Sequence, residues 1–254
     1  MTPGRGLAVL TAALLTLTVC SAQATPARTS LTGASGFSAC PQFFADAKPP
    51  LVPTHLLART KALCYDGFAI LYSGKTKTPV FVAQRLSKEG LLQARDEARS
   101  GSFFQDARLP FADRATLEDY RGSGYDRGHM APAGDMANAA MMSQSFSLAN
   151  IVPQAPINNR RAWASIEKAT RKYVMRAAGP VFAITGPVYM SGSQSIGPGR
   201  VAVPSHLFKL VYDPATKRAW AHWLENSDTA KVAKPISYAE LVERTGIKFL
   251  SVDD

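Results

Sequence analysis

Two short polar segments, residues 125–130 and 158–167, constrain this chain more than any other feature. The first has the order Tyr-Asp-Arg-Gly-His-Met, and the second begins with two asparagines and ends with a glutamate. Together they supply a base, an arginine, amides and a carboxylate, which is the minimum set for a metal-assisted attack of water on a phosphodiester. A fold that uses this set must bring the two segments together.

Length and composition indicate a globular chain with a basic surface. The 254 residues fit one large domain or two small ones, and the hydrophobic share of 46% supports a core. Only 19% of residues are charged, which argues against wholesale disorder. The net charge of +10 favours a polyanionic partner, either nucleic acid or an anionic surface.

The N-terminal segment, residues 1–24, has the pattern of a signal peptide. Residues 7–19 form an apolar run, and residues 22–24 offer a small-x-small cleavage site. The run is short for a permanent bilayer span, so no stable membrane association is expected. Lipidation at Cys20 is an alternative, although Val19 stands where a lipobox needs a small residue. The sequence therefore predicts a periplasmic or secreted protein.

Cleavage after residue 24 leaves two cysteines, Cys40 and Cys64. An even pair in an exported chain predicts one disulfide, which ties the N-terminal segment to the start of the core. Two unrelated buried thiols are the alternative. A zinc site is poorly supported, because no second Cys or His lies at ligand spacing.

The hydrophobic pattern mixes strands and helices without a regular βαβ alternation. It favours an α+β fold with a mainly antiparallel sheet flanked by helices. Residues 25–60 are expected to form an extended leader, and residues 61–254 a single domain. The pattern predicts strands over 67–72, 79–83, 145–152, 181–185, 207–212 and 218–223, and helices over 158–178 and 236–244.

His129 is the candidate general base. A lone histidine is more often structural, but here Asp126 and Arg127 precede it and the amide-carboxylate segment follows. A neutral imidazole near its ordinary pKa can take a proton from water at working pH. The other histidines lack such a context and are expected to be structural: His55, His206 and His222.

Asn159 and Glu167 are candidates for holding a metal. On a regular helix, side chains eight residues apart point roughly 80° apart, so the two can converge on one site. Magnesium prefers oxygen ligands and usually keeps several waters, so one direct protein ligand can suffice. An asparagine near a helix start is otherwise an N-cap, and Asn158 is the better candidate for that role.

In order and spacing, these residues resemble the DNA/RNA non-specific endonucleases, whose site is built on a ββα-metal fold. The resemblance covers about residues 64–212 and includes the strand segments 81–83 and 203–210. Its specific part is the Asp-Arg-Gly-His run followed, at the matching spacing, by Asn159, Trp163 and Glu167.

The resemblance implies a role for each site residue. Asn159 matches the direct ligand of Mg²⁺, with Mn²⁺ as an alternative ion, and Glu167 matches a residue that contacts the water shell of the ion. His129 would be the general base and Arg127 would stabilise charge on the phosphorus.

Three further positions match the family pattern. Arg171 matches a phosphate-contacting arginine, with an i,i+4 ion pair to Glu167 as its structural alternative. Arg99 is the candidate for a second phosphate-binding arginine upstream. Asn150 matches a residue that orients the site, with a buried amide that satisfies backbone groups as the alternative.

The sequence therefore predicts a magnesium-dependent endonuclease that hydrolyses DNA and RNA with little sequence specificity. The resemblance implies products with 5′-phosphates. Low specificity is expected because the candidate groups address phosphate, metal or water, whereas base edges encode sequence. The alternatives are a metal-dependent phosphodiesterase for a small or lipid substrate and a catalytically silent nucleic-acid-binding protein.

Overall fold

The computed structural model describes residues 1–2 and 30–251. Nearly all of the predicted signal peptide, residues 1–24, therefore lies outside the described residues. Within the described ranges, no helix is both long and apolar enough to cross a bilayer.

The described residues form short helices and strands of very different lengths. The strands are β1 (Leu31–Gly33), β2 (Leu51–Pro53), β3 (Thr60–Cys64), β4 (Ala69–Ser73), β5 (Thr78–Leu86), β6 (Asp126–His129), β7 (Ile151–Gln154), β8 (Val181–Val188), β9 (Ser195–Ile196), β10 (Val201–Ala202), β11 (His206–Asp213), β12 (Arg218–Glu225) and β13 (Ile236–Ser237). The α-helices are α1 (Lys88–Asp96), α2 (Leu117–Tyr120), α3 (Ala139–Ser145), α4 (Ala164–Val174) and α5 (Tyr238–Thr245), and a π-helical turn, Asn158–Trp163, leads directly into α4.

A seven-stranded antiparallel sheet forms the centre of the fold. Its strand order is β13-β12-β11-β8-β5-β4-β3. Three smaller sheets pair β1 with β2, β6 with β7 and β9 with β10. The predicted α+β class with a mainly antiparallel sheet is confirmed.

Both faces of the main sheet are buried, and alternation along its strands assigns each side chain to a face. On β11, Phe208 and Leu210 belong to one core, whereas Leu207 packs in a second core with Trp163 and Ile166. Burying side chains of this size contributes about 1.5–3 kcal/mol each. Because the second core anchors the turn and helix that carry Asn159 and Glu167, the sheet fixes their position.

Residues 30–60 differ from the extended leader that the sequence predicts. Phe37, Phe43, Phe44 and Val52 are buried in the first core, and β1 pairs with β2. Their apolar side chains are spaced irregularly among Ser, Gly, Ala and Pro. The sequence therefore shows no helical or strand periodicity from which their burial could be predicted.

The predicted strand over 145–152 is wrong over residues 145–150. Ser145 ends α3, a 3-10 turn covers Leu148–Asn150, and β7 begins only at Ile151. Ser147 caps the turn by accepting a hydrogen bond from the Ala149 backbone N–H at 3.3 Å. Such local bonds from a side chain to the backbone compete with strand pairing.

The predicted disulfide is confirmed. Cys40 and Cys64 are joined, with their Cα atoms 5.7 Å apart, and the bond ties the N-terminal segment to β3.

Replacing both cysteines with alanine should lower the free energy of unfolding by about 2–4 kcal/mol, because the unfolded chain regains the entropy that the cross-link removes. Urea unfolding of the double variant measures this loss, and chemically reduced wild type is the control that should match it. Equal midpoints for oxidised and reduced wild type would contradict the expected stabilisation.

Candidate active site

The antiparallel β6–β7 hairpin carries the first half of the site. Gly128 lies where a Cβ would stand 2.7 Å from the Cβ of Gln154, so the close approach of β7 requires glycine there. β6 ends at His129, and the next backbone N–H, of Met130, donates to the carbonyl of Asn150 at 3.0 Å. The Asp-Arg-Gly-His order is thus a strand that delivers its histidine to the end of the hairpin.

A cavity of about 270 Å³ lies between this hairpin and the turn and helix that follow β7. It collects six of the seven residues that the sequence nominated, and only Asn150 is absent from its wall. The lining residues are Arg99, Arg127, His129, Pro132, Ala133, Gly134, Asn159, Ala164, Glu167 and Arg171.

His129 is buried between two aromatic rings. Its ring centre lies 5.5 Å from that of Phe103 and 5.1 Å from that of Phe146. Burial, followed by the charges of Arg99 and Arg127, lowers the pKa of His129 to about 3. Its Nε2 has no hydrogen-bond partner among the described residues. The imidazole is therefore neutral at neutral pH, and an anion that neutralises the two arginines would raise its basicity.

Arg99 and Arg127 stack on the same two rings. The Arg127 guanidinium lies 4.5 Å from the centre of Phe103, and that of Arg99 lies 5.4 Å from the centre of Phe146. Both arginines are exposed, and neither joins an ion pair within the part of the chain that the structure describes. Their charges are held in place yet left available for an incoming anion.

Asn159 is oriented by Asp126. The Asn159 side-chain amide donates to Asp126 Oδ2 at 2.9 Å, and Arg160 donates to both oxygens of the same carboxylate at 2.8 and 2.6 Å. With its nitrogen engaged, the carbonyl oxygen of Asn159 receives no hydrogen bond from any described residue. The sequence nominated Asn159 but gave Asp126 no role, because only the fold shows which nitrogen the carboxylate meets.

Glu167 is half-buried, and loss of water around its carboxyl raises its pKa to about 7. Lys209, Arg171 and Arg99 oppose this shift, whereas Asp135 adds to it. Lys209 is itself buried and donates to the hydroxyl of Thr185 at 2.7 Å. Burial lowers the pKa of Lys209, and the nearby carboxylates of Glu167 and Asp135 resist that change.

Sequence reasoning missed Lys209 as a functional residue. It lies in β11 between apolar neighbours, and a single lysine in such a run looks like a solvent-facing residue. The structure instead places it beneath the site, where it supplies a buried positive charge beside Glu167. The available signal was the apolar residues on both sides of Lys209, because a lysine exposed to solvent usually shares its face of the strand with other polar residues.

Arg171 pairs with a different carboxylate from the one that the sequence offers. Its guanidinium donates to Asp135 Oδ1 at 2.9 Å, and no ion pair with Glu167 forms. Asp135 belongs to the 3-10 turn Ala133–Asp135, which follows the hairpin strand that carries His129. The pair therefore ties α4 to the loop at the cavity wall.

Asn150 supports the site from behind. Its side-chain nitrogen donates to the carbonyls of Ala131 and Ser145 at 2.9 Å each, and its oxygen accepts from the Ala131 backbone N–H at 2.9 Å. These bonds match the alternative in which the Asn150 amide satisfies backbone groups.

Asn158 is not the N-cap that the sequence predicts. Its side chain is buried, accepts a hydrogen bond from Gln154 and donates one to the carbonyl of Glu225.

The available oxygens fit a hydrated cation better than a fully protein-bound one. Among the described residues, no group of three or more His, Cys, Asp or Glu side chains could hold a metal ion. The free carbonyl oxygen of Asn159 and the carboxylate of Glu167 line the same cavity. One amide oxygen with a nearby carboxylate suits Mg²⁺, which keeps several of its waters.

The profile of the DNA/RNA non-specific endonuclease family matches residues 52–252. The chain belongs to this family. The chain is 31% identical over 211 residues to the mitochondrial nuclease 1 of Schizosaccharomyces pombe, which covers 73% of the chain and 64% of that protein. It is also 34% identical over 169 residues to nuclease C1 of Cunninghamella echinulata. That match covers 62% of the chain and 67% of that protein.

Other nucleases show the same likeness. Human mitochondrial nuclease EXOG is 36% identical over 166 residues, which is 61% of the chain and 45% of that protein. The crystal structure of an EndoG/EndoGI complex superposes with a TM-score of 0.70 at 25% identity, covering 76% of this chain and 86% of that one. The chain thus spans about half to two thirds of the length of its curated relatives.

The prediction of a periplasmic or secreted protein is contradicted by these relatives. The S. pombe and human nucleases, bovine endonuclease G and the Saccharomyces cerevisiae nuclease are all named as mitochondrial proteins. The export prediction rested on residues 1–24, and an apolar N-terminal run does not by itself identify the membrane to which a chain is directed.

Binding of Mg²⁺ should weaken as the pH falls from 8 to 6, because a proton then competes for the carboxylate of Glu167, whose pKa is about 7. The expected change is up to about tenfold over this range. Isothermal titration with magnesium at several pH values measures it. Glu167→Gln is the matched control and should show a flatter profile, and identical profiles for the two proteins would contradict the assignment.

Proposed function

We propose that this family member is a magnesium-dependent endonuclease that hydrolyses phosphodiester bonds of DNA and RNA with little sequence specificity. The observation that carries the proposal is the cavity that unites a neutral, buried His129 with the free oxygen of Asn159 and three arginines. The family membership supports the same reaction class.

In the proposed mechanism, His129 takes the proton from the attacking water. The cage of Phe103 and Phe146 keeps the imidazole neutral and in one orientation before substrate arrives. Arg127 and Arg99 bind the scissile phosphate, and their neutralisation by that phosphate strengthens the base next to them.

Asn159 and Glu167 form the cation-binding part of the site. A Mg²⁺ ion held there by the Asn159 oxygen, with Glu167 on its water shell, would supply Lewis-acid stabilisation of charge on the phosphate. Asp126 and Lys209 act on these two residues, the first by orienting the amide and the second by favouring the ionised carboxylate. Arg171, anchored by Asp135, contributes a further positive charge at the cavity wall.

The proposed site explains low specificity. The groups assigned to it meet phosphate, metal or water, and none of these contacts requires a particular base or a 2′-hydroxyl. Products with 5′-phosphates are the expected outcome.

The test is an incubation of the purified chain with supercoiled plasmid and with a structured RNA, in magnesium and in EDTA. Magnesium-dependent cleavage of both substrates, at many positions, is the expected result. Cleavage only of a small phosphodiester would favour a different phosphodiesterase, and binding without cleavage would favour a silent nucleic-acid-binding protein.

A further inference from the structure

A second concave surface adjoins the catalytic cavity. It is a groove of about 420 Å³ between α1 and α4, and we call it the α1–α4 groove. Gly134 and Arg171 line both this groove and the catalytic cavity, so the two spaces are neighbours that share a wall.

The wall of the groove is strongly basic. Besides Arg171, it contains four exposed cations, and its lining includes no acidic residue. None of the four forms an ion pair in the part of the chain that the structure describes. They are Arg95, Lys168, Lys172 and Arg176.

Three of these cations form a row. Lys168, Lys172 and Arg176 follow one another at intervals of four residues along α4 and its final turn, so they lie on one side of the helix. At 1.5 Å per residue, the row is roughly 12 Å long. The row is therefore long enough to meet more than one phosphate of the same strand.

From this geometry we propose that the α1–α4 groove binds the sugar-phosphate backbone of the nucleic-acid substrate beyond the scissile bond. The inference rests on the proposed function and adds the path of the substrate. The nucleic acid would leave the catalytic cavity past Arg171 and run along α4. The apolar floor formed by Leu91 and Met175 offers no hydrogen bonds, so the cations on the wall make the contacts.

A solely structural role for these charges is the competing explanation. Lys172 and Arg176 lie at the C-terminal end of α4, where positive side chains complement the helix dipole. That role predicts a loss of thermal stability on charge reversal and no selective loss of polynucleotide binding.

The test compares two double charge reversals of equal size. Lys172→Glu/Arg176→Glu alters the groove. Lys48→Glu/Lys75→Glu is the control, since Lys48 precedes β2 in the segment that packs on the other face of the sheet and Lys75 lies in the turn between β4 and β5. Affinity for a 30-base-pair duplex is measured in EDTA by fluorescence anisotropy over a range of salt concentrations.

The groove variant should bind the duplex at least tenfold more weakly than the control variant, and its log–log salt slope should fall by about 2, since each lost phosphate contact contributes about 0.9. In cleavage assays, the rise in KM should be larger for the duplex than for a dinucleotide. Equal affinities and equal slopes in the two variants would overturn the proposal. If charge reversal prevents folding, Lys172→Gln/Arg176→Gln is measured in its place, with half the change in charge.

Measuring affinity without metal separates this proposal from the catalytic one. A selective loss of binding in the groove variant supports the groove even if wild type fails to cleave. Wild-type cleavage with equal binding by both variants would leave the catalytic proposal intact and refute the groove.

Discussion

His129→Ala should reduce the rate of cleavage by about 10²–10⁴-fold while leaving metal binding nearly unchanged, because it removes a general base and no metal ligand. Single-turnover cleavage of plasmid at saturating magnesium measures the chemical step, and calorimetric titration measures the metal. Turnover close to that of wild type would refute the role assigned to His129.

His129→Ala should also change the pH dependence of the free energy of unfolding. Burial lowers the pKa of His129 to about 3, whereas the unfolded chain binds this proton near pH 6.5. The unfolded state therefore takes the proton first, and the fold loses stability as the pH drops from about 6.5 towards 3. At pH 5 this term amounts to about 2 kcal/mol. The difference in unfolding free energy between pH 7 and pH 5 should be smaller by that amount in His129→Ala, and an unchanged difference would show that the imidazole is not buried as described.

Asn159→Ala should lower cleavage by more than about 100-fold at low magnesium, since even outer partners of a metal ligand cost about 10–100-fold. Raised magnesium should restore part of the activity, because the defect lies in metal affinity. The magnesium concentration for half-maximal cleavage measures this shift. Cleavage that persists in EDTA would refute the metal mechanism as a whole.

Two conservative variants sharpen the interpretation of Asn159. Asn159→Asp keeps an oxygen but cannot donate to Asp126, which lies 2.9 Å away in the present structure, so repulsion should misplace the new carboxylate. Asp126→Asn keeps the Asn159 oxygen and weakens only its orientation, so its loss should be smaller. Equal defects in Asn159→Ala and Asp126→Asn would indicate that Asp126 takes part directly.

The parts of the site that follow from sequence are those carried by one continuous segment. The sequence placed Arg127 and His129 in one short segment, and the structure shows that this segment is β6. Arg171 could be placed on a helix, but its partner Asp135 lies on a separate loop, and sequence spacing offered the wrong carboxylate, Glu167.

The parts that could not be predicted depend on residues far apart in the chain. Phe103 and Phe146 meet His129 from two different loops, and Lys209 lies near Glu167 from β11, on the face of the sheet that α4 covers. Neither phenylalanine has a sequence pattern that separates it from an ordinary core residue, and the apolar neighbours of Lys209 do not show which carboxylate it approaches. The burial of Phe37 and its neighbours has the same explanation, since its partner Phe81 lies in β5.

The π-helical turn over Asn158–Trp163 changes the geometry of the helix that it begins. A π turn holds one residue more than an α turn, so eight residues that include it advance about as far around the axis as seven ordinary ones. Seven α-helical residues return to within roughly 20° of the starting direction. Asn159 and Glu167 therefore lie nearly above one another, two turns apart, rather than on diverging sides.

The π-helical turn thus changes the angle around the helix axis between the side chains of Asn159 and Glu167, the two residues of the cation site. On an uninterrupted α-helix a spacing of eight residues would leave the two side chains roughly 80° apart, and the π-helical turn brings them closer to one line. The placement of the Asn159 oxygen and the Glu167 carboxylate along a single line is then a property of the irregular backbone that joins the π-helical turn to α4, because an ideal helix would point the two side chains roughly 80° apart.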